Sequence, residues 1–372
     1  MMFAVLILFL VFSLSLLCYY FCLFFKFLKF QNKERKNTTP LPVSVIICAQ
    51  DEAENLRKFL PEIYAQNHPD FEVILVNDRS IDDTFDVMKE FEETYPHKTK
   101  LVNVPRSNDS RLMGNKKYAL TLGIKASKNN ILLFTDADCQ PAGNNWIEWM
   151  TKYFNSGKQI VLGYGKYAKK SGFLNKLIRF ETLQTALQYF SYALKGMPYM
   201  GVGRNLAYTK DLFMQNNGFY SHLDIMSGDD DLFVNETATS ENTAICVHPE
   251  SFSISQPKQT WKSYIHQKRR HISTASHYKA KHRNLLGWYY VSLLGFWLTA
   301  VVLLLTQSYW QIVLGMIFVR LLTAWYINHK TNQKLKEPGL TAWFPVLEIS
   351  LLLFQLLIFV LNLFKKPSRW AS

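Results

Sequence analysis

Long apolar segments near both ends limit the possible folds of this 372-residue chain more than any other feature. Residues 2–25 are almost wholly apolar, and the run is longer than the apolar region of a secretory signal peptide. Residues 288–305, 309–327 and 343–364 form a second apolar block near the other end. Segments of this length and composition are typical of membrane-spanning helices. They predict a multi-pass membrane protein whose central part lies outside the bilayer.

Basic residues next to these segments predict the orientation. Lys26, Lys29, Lys33, Arg35 and Lys36 follow the first segment, which places the central domain in the cytoplasm, on the inner face of the cell membrane. A basic loop at 329–336 fits the same side. If residues 343–364 cross, the basic C-terminal end falls outside, so crossing and a re-entrant or interfacial path both stay open. We divide the chain into residues 1–30, 40–283 and 284–372.

Two charged residues lie inside the apolar C-terminal block. Arg320 falls within a predicted span, where a charge must pair, reach the interface or face a polar cavity. Glu348 in the next segment is a candidate partner.

The segment between the apolar ends alternates strand and helix patterns. β-Branched and apolar runs predict strands at 43–48, 71–76, 100–104 and 131–135, and helical spacing predicts helices at 52–65, 82–95 and 116–125. This alternation predicts an α/β domain with a mainly parallel sheet that is covered on both faces.

Acidic residues follow three of the predicted strands. Glu52 follows the first strand, Asp78 the second, and Asp136 and Asp138 come directly after the strand at 131–135. Ligands of open α/β sheets bind at the carboxyl ends of the strands, and an Asp-x-Asp pair there supplies oxygen ligands for Mg²⁺ or Mn²⁺. The alternative is that acids here only serve helix N-termini, with Ser80 or Asp82 as the cap of the next helix and Glu52 as a favourable charge at a helix start.

Six short motifs then occur in one order along residues 43–283. They are VSVIICAQDEAENL from residue 43, VNDRS from 76, GNKKYAL from 114, DAD from 136, GDDDL from 228 and QKRRH from 267. Together they resemble the membrane-bound family 2 glycosyltransferases, which implies the GT-A fold, a Rossmann-like domain, here flanked by transmembrane helices.

The resemblance implies roles in donor binding for five residues. Glu52 and Asp78 are expected to hold the uracil or ribose of a nucleotide-sugar, and Asp136 to contact the nucleoside. Lys116 is expected near the diphosphate, and Asp138 at a divalent cation, Mg²⁺ or Mn²⁺.

The later motifs imply the catalytic base and further donor contacts. Asp230 is the expected base, and Asp229 takes that role if the alignment moves by one position. Gln267 and Arg270, on a helix predicted at 260–271, match a Gln-x-x-Arg-Trp motif of processive synthases. The Trp of that motif is His271 here, which argues against processive synthesis.

The expected reaction is therefore an inverting, metal-dependent transfer of a hexosyl group from a nucleotide-sugar, taken to be a UDP-sugar. The acceptor is a lipid-linked molecule or a saccharide. The alternatives are a nucleotidyltransferase of similar fold, a processive polysaccharide synthase, and a scaffold that binds nucleotide-sugar without catalysis.

Three further features complete the predictions. Gly203, Arg204 and Asn205 form a glycine-containing turn that either lines the acceptor side or is only a tight turn. A helix at 176–200 either lies on the membrane surface, which its aromatic content favours slightly, or faces the core. No acid occurs between Glu250 and Glu337, and this basic stretch suits lipid or diphosphate rather than nucleic acid. The five scattered cysteines favour reduced thiols.

Overall fold

The computed structural model describes residues 1–32, 39–105, 116–225 and 227–364. The strands are β1 (Val43–Ala49), β2 (Phe71–Asn77), β3 (Thr99–Asn103), β4 (Ile131–Asp136), β5 (Cys139–Pro141), β6 (Ile160–Leu162), β7 (Gly165–Tyr167), β8 (Leu206–Thr209), β9 (Thr243–Ile245) and β10 (Ser253–Ser255). Within the described residues they form a seven-stranded sheet, ordered β3-β2-β1-β4-β8-β6-β9, and a three-stranded sheet, ordered β5-β10-β7. Strands β1 to β4 run parallel, whereas β8 runs antiparallel to β4 and β6.

Helices surround the larger sheet and extend away from it. They are α1 (Met2–Tyr19), α2 (Phe25–Lys29), α3 (Ala53–Tyr64), α4 (Thr84–Thr94), α5 (Lys116–Ala126), α6 (Trp146–Thr151), α7 (Phe173–Leu194), α8 (Lys210–Gln215), α9 (Asp231–Thr237), α10 (Trp261–Thr274), α11 (Ala280–Leu305), α12 (Trp310–Lys334) and α13 (Phe344–Phe364). A π-helical turn, Tyr20–Phe24, joins α1 to α2.

Both faces of the sheet are buried, as the apolar runs predict. Val45 and Ile47 pack into the core on one face, and Ile46 packs into the core on the other, because successive side chains of a strand alternate. Each predicted strand and helix of residues 43–135 is present with its ends within two residues. The α/β fold class is therefore confirmed. Two sets of predicted residues lie outside the described ranges: Gly114 and Asn115 of the third motif, and Lys33, Arg35 and Lys36 of the basic cluster.

Four helices in the described part of the chain are long and apolar enough to cross a membrane: Met2–Lys29, Ala280–Leu305, Trp310–Lys334 and Thr341–Phe364. Their length and composition indicate a membrane-associated protein. The prediction that a loop begins at His329 is wrong, because α12 stays helical to Lys334. The Lys334 ammonium donates to the carbonyls of Phe27, Leu28 and Phe30 at 2.5–3.0 Å, which fixes this end of α12 against the end of α2.

The predicted partner of Arg320 is confirmed. Both guanidinium nitrogens of Arg320 donate to the Glu348 carboxylate, with Nη2 to Oε1 at 2.7 Å, and Arg320 is fully buried. Two parallel charge-assisted bonds satisfy most of both groups among apolar helices.

Helix α7 lies in the core, so the membrane-surface interpretation is wrong. Its apolar residues Leu177, Phe180, Leu183, Leu187 and Phe190 are each at most 1% exposed. They pack inside a core that continues from the sheet to the membrane helices. The large aromatic side chains of α7 fill the space between these two parts of the protein.

A buried carboxylate joins the α12–α13 connection to the sheet domain. Glu337 is 1% exposed, and its carboxylate accepts from Arg179 Nε at 2.8 Å and Tyr164 Oη at 3.1 Å. Lys166 Nζ lies 3.6 Å from the same carboxylate. We refer to Tyr164, Lys166, Arg179 and Glu337 as the junction cluster. It fixes the membrane helices next to β7.

Candidate active site

The acidic residues that follow the parallel strands lie along one cavity. Glu52, Asp78, Asp136 and Asp138 all line this space of about 930 Å³ at the carboxyl edge of the sheet. Parallel strands end at the same edge, so acids far apart in the chain come together there. The convergence that the sequence predicts is therefore present.

Lys116 sits between two of the acids. Its Nζ lies 2.7 Å from Asp136 Oδ1 and 3.5 Å from Asp229 Oδ2. Burial alone would lower the pKa of Lys116, but the two carboxylates outweigh it and raise that pKa well above its ordinary value. Burial likewise opposes ionisation of Asp136, and Lys116 outweighs it, so the pKa of Asp136 is lowered. Lys116 is thus a fixed cation at the edge of the sheet.

Asp136, Asp138 and Cys139 offer ligand atoms within 4.8 Å of one another. The pKa of Asp138 is raised, first by burial and then by the charge of Asp136. A divalent cation between the two carboxylates would remove this repulsion, and oxygen donors suit Mg²⁺ or Mn²⁺. Burial raises the pKa of the Cys139 thiol well above its ordinary value, so the thiol donates to Asp138 Oδ1 at 3.3 Å. The carboxylates, rather than the thiol, fit a hard cation.

Glu52 and Asp78 are each held by a residue close to them in the chain. The Glu52 carboxylate accepts from Asn55 Nδ2 at 2.5 Å, and the Asp78 carboxylate accepts from Arg79 Nε at 2.9 Å. Burial raises the pKa of both acids. Asp82 accepts from the N–H of Thr84, the first residue of α4, at 3.0 Å, as the capping interpretation expects, and also from the N–H of Ala53, the first residue of α3, at 3.3 Å.

The loop at 228–231, which we name the acid loop, places three consecutive carboxylates in different surroundings. Asp229 faces Lys116. Asp230 accepts from the N–H groups of Gly203 at 2.6 Å and Asp231 at 2.7 Å. Burial, and then the charges of Asp229 and Asp231, raise the pKa of Asp230 to about 7. Asp230 therefore has the proton affinity that suits a general base near neutral pH.

Helix α10 forms the opposite wall of the cavity. Gln267 and Arg270 both line it, one turn apart on the same face, as their spacing predicts. Gln267 Nε2 donates to Tyr167 Oη at 3.3 Å. Burial lowers the pKa of Arg270 against the opposing effect of Asp229 and Asp136. Arg270 thus faces the carboxylates from across the cavity.

The three residues of the Gly203–Asn205 turn do not all face the site. A Cβ at Gly203 would lie 3.3 Å from Asp230 Oδ2, so glycine permits the close approach of this backbone to the acid loop. Arg204 lines the cavity, and its Nη1 donates to Tyr167 Oη at 2.7 Å. The predicted acceptor-side position of Asn205 is wrong. Asn205 is fully buried, with its side chain bonded to the Trp146 indole and backbone carbonyls, which requires an inward orientation.

Sequence reasoning missed two residues that shape the site. Lys117 is 1% exposed, and its Nζ donates to the carbonyls of His222 (2.7 Å), Ile225 (2.5 Å) and Ser227 (2.7 Å), just before the acid loop. Tyr167 orients both Gln267 and Arg204. The only sequence signal for Lys117 is a second lysine beside Lys116, pointing toward the apolar face of a helix.

Comparisons with known proteins agree with this geometry. Residues 44–212 match the model of the family described as "Glycosyl transferase family 2". The chain is 28% identical to Glycosyltransferase AglE of Haloferax volcanii over 48% of this chain and 55% of that protein. It is 32% identical to 4,4'-diaponeurosporenoate glycosyltransferase of Staphylococcus haemolyticus over 37% of this chain and 34% of that protein. The chain thus spans about half or less of the length of these curated relatives.

A solved structure supports the fold over a longer stretch. Mannosyltransferase PcManGT from Pyrobaculum calidifontis, in complex with GDP-Man and Mn²⁺, superposes with a TM-score of 0.60 at 17% identity. The superposition covers 91% of this chain and all of that one. With a mainly parallel sheet and a superposition over most of its length, the central domain has the GT-A fold, and residues 44–212 are similar to the family 2 glycosyltransferases.

Proposed function

We propose that this protein is an inverting, metal-dependent glycosyltransferase. It moves a sugar from a nucleotide-sugar to a lipid-linked or saccharide acceptor at the cytoplasmic face of a membrane. The observation that carries the proposal is a set of acids at the carboxyl edge of the sheet whose surroundings differ. Asp138 and Asp136 line the cavity and would hold the cation. Asp230, with a pKa of about 7, lines a small adjoining pocket that shares Lys116 and Asp136 with the cavity, and it is the proposed base.

The donor end lies at the sheet edge. Glu52 and Asp78 hold the nucleoside, and Lys116 and Arg270 face the diphosphate. Asp138 would hold a divalent cation, whose charge would stabilise the diphosphate leaving group. The expected donor is a UDP-sugar, while the structural neighbour was solved with GDP-Man, so both nucleotides belong in a donor screen.

The chemical step needs one base and no second nucleophile. Asp230 takes the proton of the acceptor hydroxyl as its oxygen bonds to the anomeric carbon. The bond from that carbon to the diphosphate oxygen breaks, and nucleoside diphosphate leaves with the electron pair. Arg270, which can make two charge-assisted bonds to phosphate, stabilises the departing charge. One displacement inverts the anomeric centre.

The acceptor side is next to the membrane helices. Helix α10 packs on α13 through a stacked pair, Tyr264 and Phe354, and through bonds from Arg269 to Asn362 and the Leu361 carbonyl. Its other face lines the cavity. Because α10 both lines the cavity and packs on the apolar helix α13, we favour an acceptor that is held at the membrane. The basic residues after the first span favour the cytoplasmic side.

The proposal is tested with purified protein, total membrane lipid and a panel of nucleotide-sugars. We expect release of nucleoside diphosphate and sugar label in the lipid fraction; pyrophosphate release with nucleotide transfer would establish a nucleotidyltransferase instead. Asp230→Asn should lower kcat at least about 100-fold while the donor still binds, because only proton removal is lost. Asp224→Asn, which changes an exposed acid six residues before Asp230, is the matched control.

Arg270→Ala should also lower kcat with the protein still in the membrane, and Arg283→Ala, an exposed basic residue, is its control. If Arg270→Ala turns over normally and changes only membrane attachment, the proposed active-site role of Arg270 is wrong. Normal turnover in Asp230→Asn together with loss in Asp229→Asn would move the base by one residue. Inactivity toward all donors, or full activity in both aspartate variants, would contradict the proposal.

A further inference from the structure

We propose that Asp231 is a positioning residue that ties the acid loop to the end of helix α10, and so places the base opposite Gln267 and Arg270. The inference rests on the proposed function, because it concerns how that function's base is held. It assigns Asp231 no contact with substrate.

The Asp231 carboxylate is saturated with donors. It is 8% exposed, and its Oδ2 accepts from Thr274 Oγ1 at 2.5 Å and from Tyr278 Oη at 2.7 Å. Its Oδ1 accepts from the N–H of Leu232 at 2.7 Å. The ionised carboxylate accepts all three bonds, and two of them reach a segment more than forty residues away in the chain. Asp231 is thus a bridge between the acid loop and the end of helix α10.

A second bridge runs parallel to the first, one turn along α9. The Asn235 amide oxygen accepts from the N–H of Lys279 at 2.8 Å, and its Nδ2 donates to the Tyr199 carbonyl at 2.8 Å. The same Nδ2 lies 3.1 Å from His282 Nδ1. Helix α9 is therefore fastened at two points to the connection between α10 and α11. Asn235 holds α9 in place independently, so removing the Asp231 bridge should alter the acid loop before it unfolds α9.

The acid loop is held from its other side by Lys117. That ammonium donates to three carbonyls of the segment just before Gly228. Asp230 thus lies between a fixed point on α5 and a fixed point at the end of α10. Release of one side should misplace the base relative to Arg270, and a displacement of about 1 Å is enough to cost about 100-fold in rate.

The same bridge brings a charge next to the base. The titratable and charged groups that face Asp230 are Asp229 and Asp231 on its own loop, Lys117 on α5, Tyr208 on β8, Arg270 on α10, and Tyr278 after α10. The negative charge of Asp231 helps to raise the pKa of Asp230. Replacing it with a neutral amide should therefore lower the pKa of Asp230, and a loss of packing alone would not.

The test is a pH profile of kcat/KM for full-length protein in detergent, with nucleoside diphosphate release as the readout. Asp231→Asn should lower kcat about tenfold or more at pH 8, leave donor KM within about twofold, and move the acid limb down by about one pH unit. Tyr278→Phe, which removes one bond and keeps the Asp231 charge, should lower kcat without moving that limb down. Asp224→Asn should leave kcat and the limb unchanged.

Melting temperature and donor binding establish that each variant is folded. An unmoved acid limb in Asp231→Asn, or wild-type kcat in Tyr278→Phe, overturns the inference while the proposed function stands. If Asp231→Asn does not fold, Tyr278→Phe decides, because a positioning bridge requires its loss to lower kcat at unchanged melting temperature. The proposed function fails separately, through full activity in both Asp229→Asn and Asp230→Asn.

Discussion

Buried charges are neutralised at the membrane junction and left in excess at the edge of the sheet. At the junction, Glu337 faces Arg179 and Lys166, and within the helix bundle Glu348 faces Arg320, so each buried carboxylate has a cationic partner. At the sheet edge, Lys116 is shared between two acids. Within the described residues, Asp138 and Asp230 have no cation at ion-pair distance, and their pKa values are raised by burial.

The difference leads us to expect a structural role for the paired charges and a functional role for the unpaired ones. A buried charge without a partner destabilises a folded protein. Such a charge is expected where a bound ligand, or a proton taken up during the reaction, neutralises it. We therefore expect substitutions at the sheet edge to change chemistry more than stability. Substitutions in the junction cluster should change stability more than chemistry.

The largest effect is expected at the cation site. Asp138→Asn should lower turnover about a thousandfold at limiting Mg²⁺ or Mn²⁺, because a neutral amide is a weaker ligand and does not offset the diphosphate charge. The measurement is nucleoside diphosphate release across a metal titration, with melting temperature to show an intact fold. Asp86→Asn, a largely exposed acid, is the control. Full activity of Asp138→Asn at limiting metal would remove Asp138 from the cation site.

The opposite pattern is expected in the junction cluster. Glu337→Gln should destabilise the protein by about 3 kcal/mol, because it leaves Arg179 as a buried charge with only a neutral partner. Turnover per folded molecule should change less than about threefold. Thermal unfolding in detergent and active-fraction kinetics measure the two effects. A double variant, Arg179→Met with Glu337→Leu, should recover part of the loss; a kcat collapse at full stability would show that the cluster belongs to the chemistry.

The smallest effect concerns pH. If Asp230 is the base, kcat/KM should rise about tenfold per pH unit up to about pH 7 and then level off, since only the ionised carboxylate accepts the proton. Stability should move the other way. The raised folded-state pKa of Asp230 contributes stability that is present at low pH and lost as pH rises through about 7.

Asp230→Asn should flatten the part of the melting-temperature profile that falls between about pH 4 and pH 7, which are the unfolded and folded pKa values of Asp230. If the melting temperature falls equally with pH in the variant and in the wild type, other groups are responsible for that pH dependence. An acid limb that persists in residual Asp230→Asn activity and disappears in Asp229→Asn would give the base role to Asp229.

Local pattern was enough to predict most of the fold. The apolar run at 131–135 predicts the strand, the spacing of apolar residues predicts the helix at 116–125, and length and composition predict the membrane helices. These elements were predictable because each one depends on residues that are close in the chain. The acids at the sheet edge were predictable as well, since parallel strands bring their carboxyl ends together. Even the Arg320–Glu348 pair follows from the cost of a charge among apolar helices.

Residues whose roles depend on distant partners were not predictable in the same way. Asn205 sits in a motif that points to a ligand, yet its amide bonds Trp146, fifty-nine positions away, and its neighbours in the chain carry no trace of that contact. The surroundings of α7 likewise come from helices at both ends of the chain. The sequence by itself determined the class of fold and predicted which acids line the cavity at the edge of the sheet. Only the tertiary structure decided which acids pair with Lys116, which have no cation at ion-pair distance among the described residues, and which one is tied to Tyr278, because burial and long-range hydrogen bonds set those states.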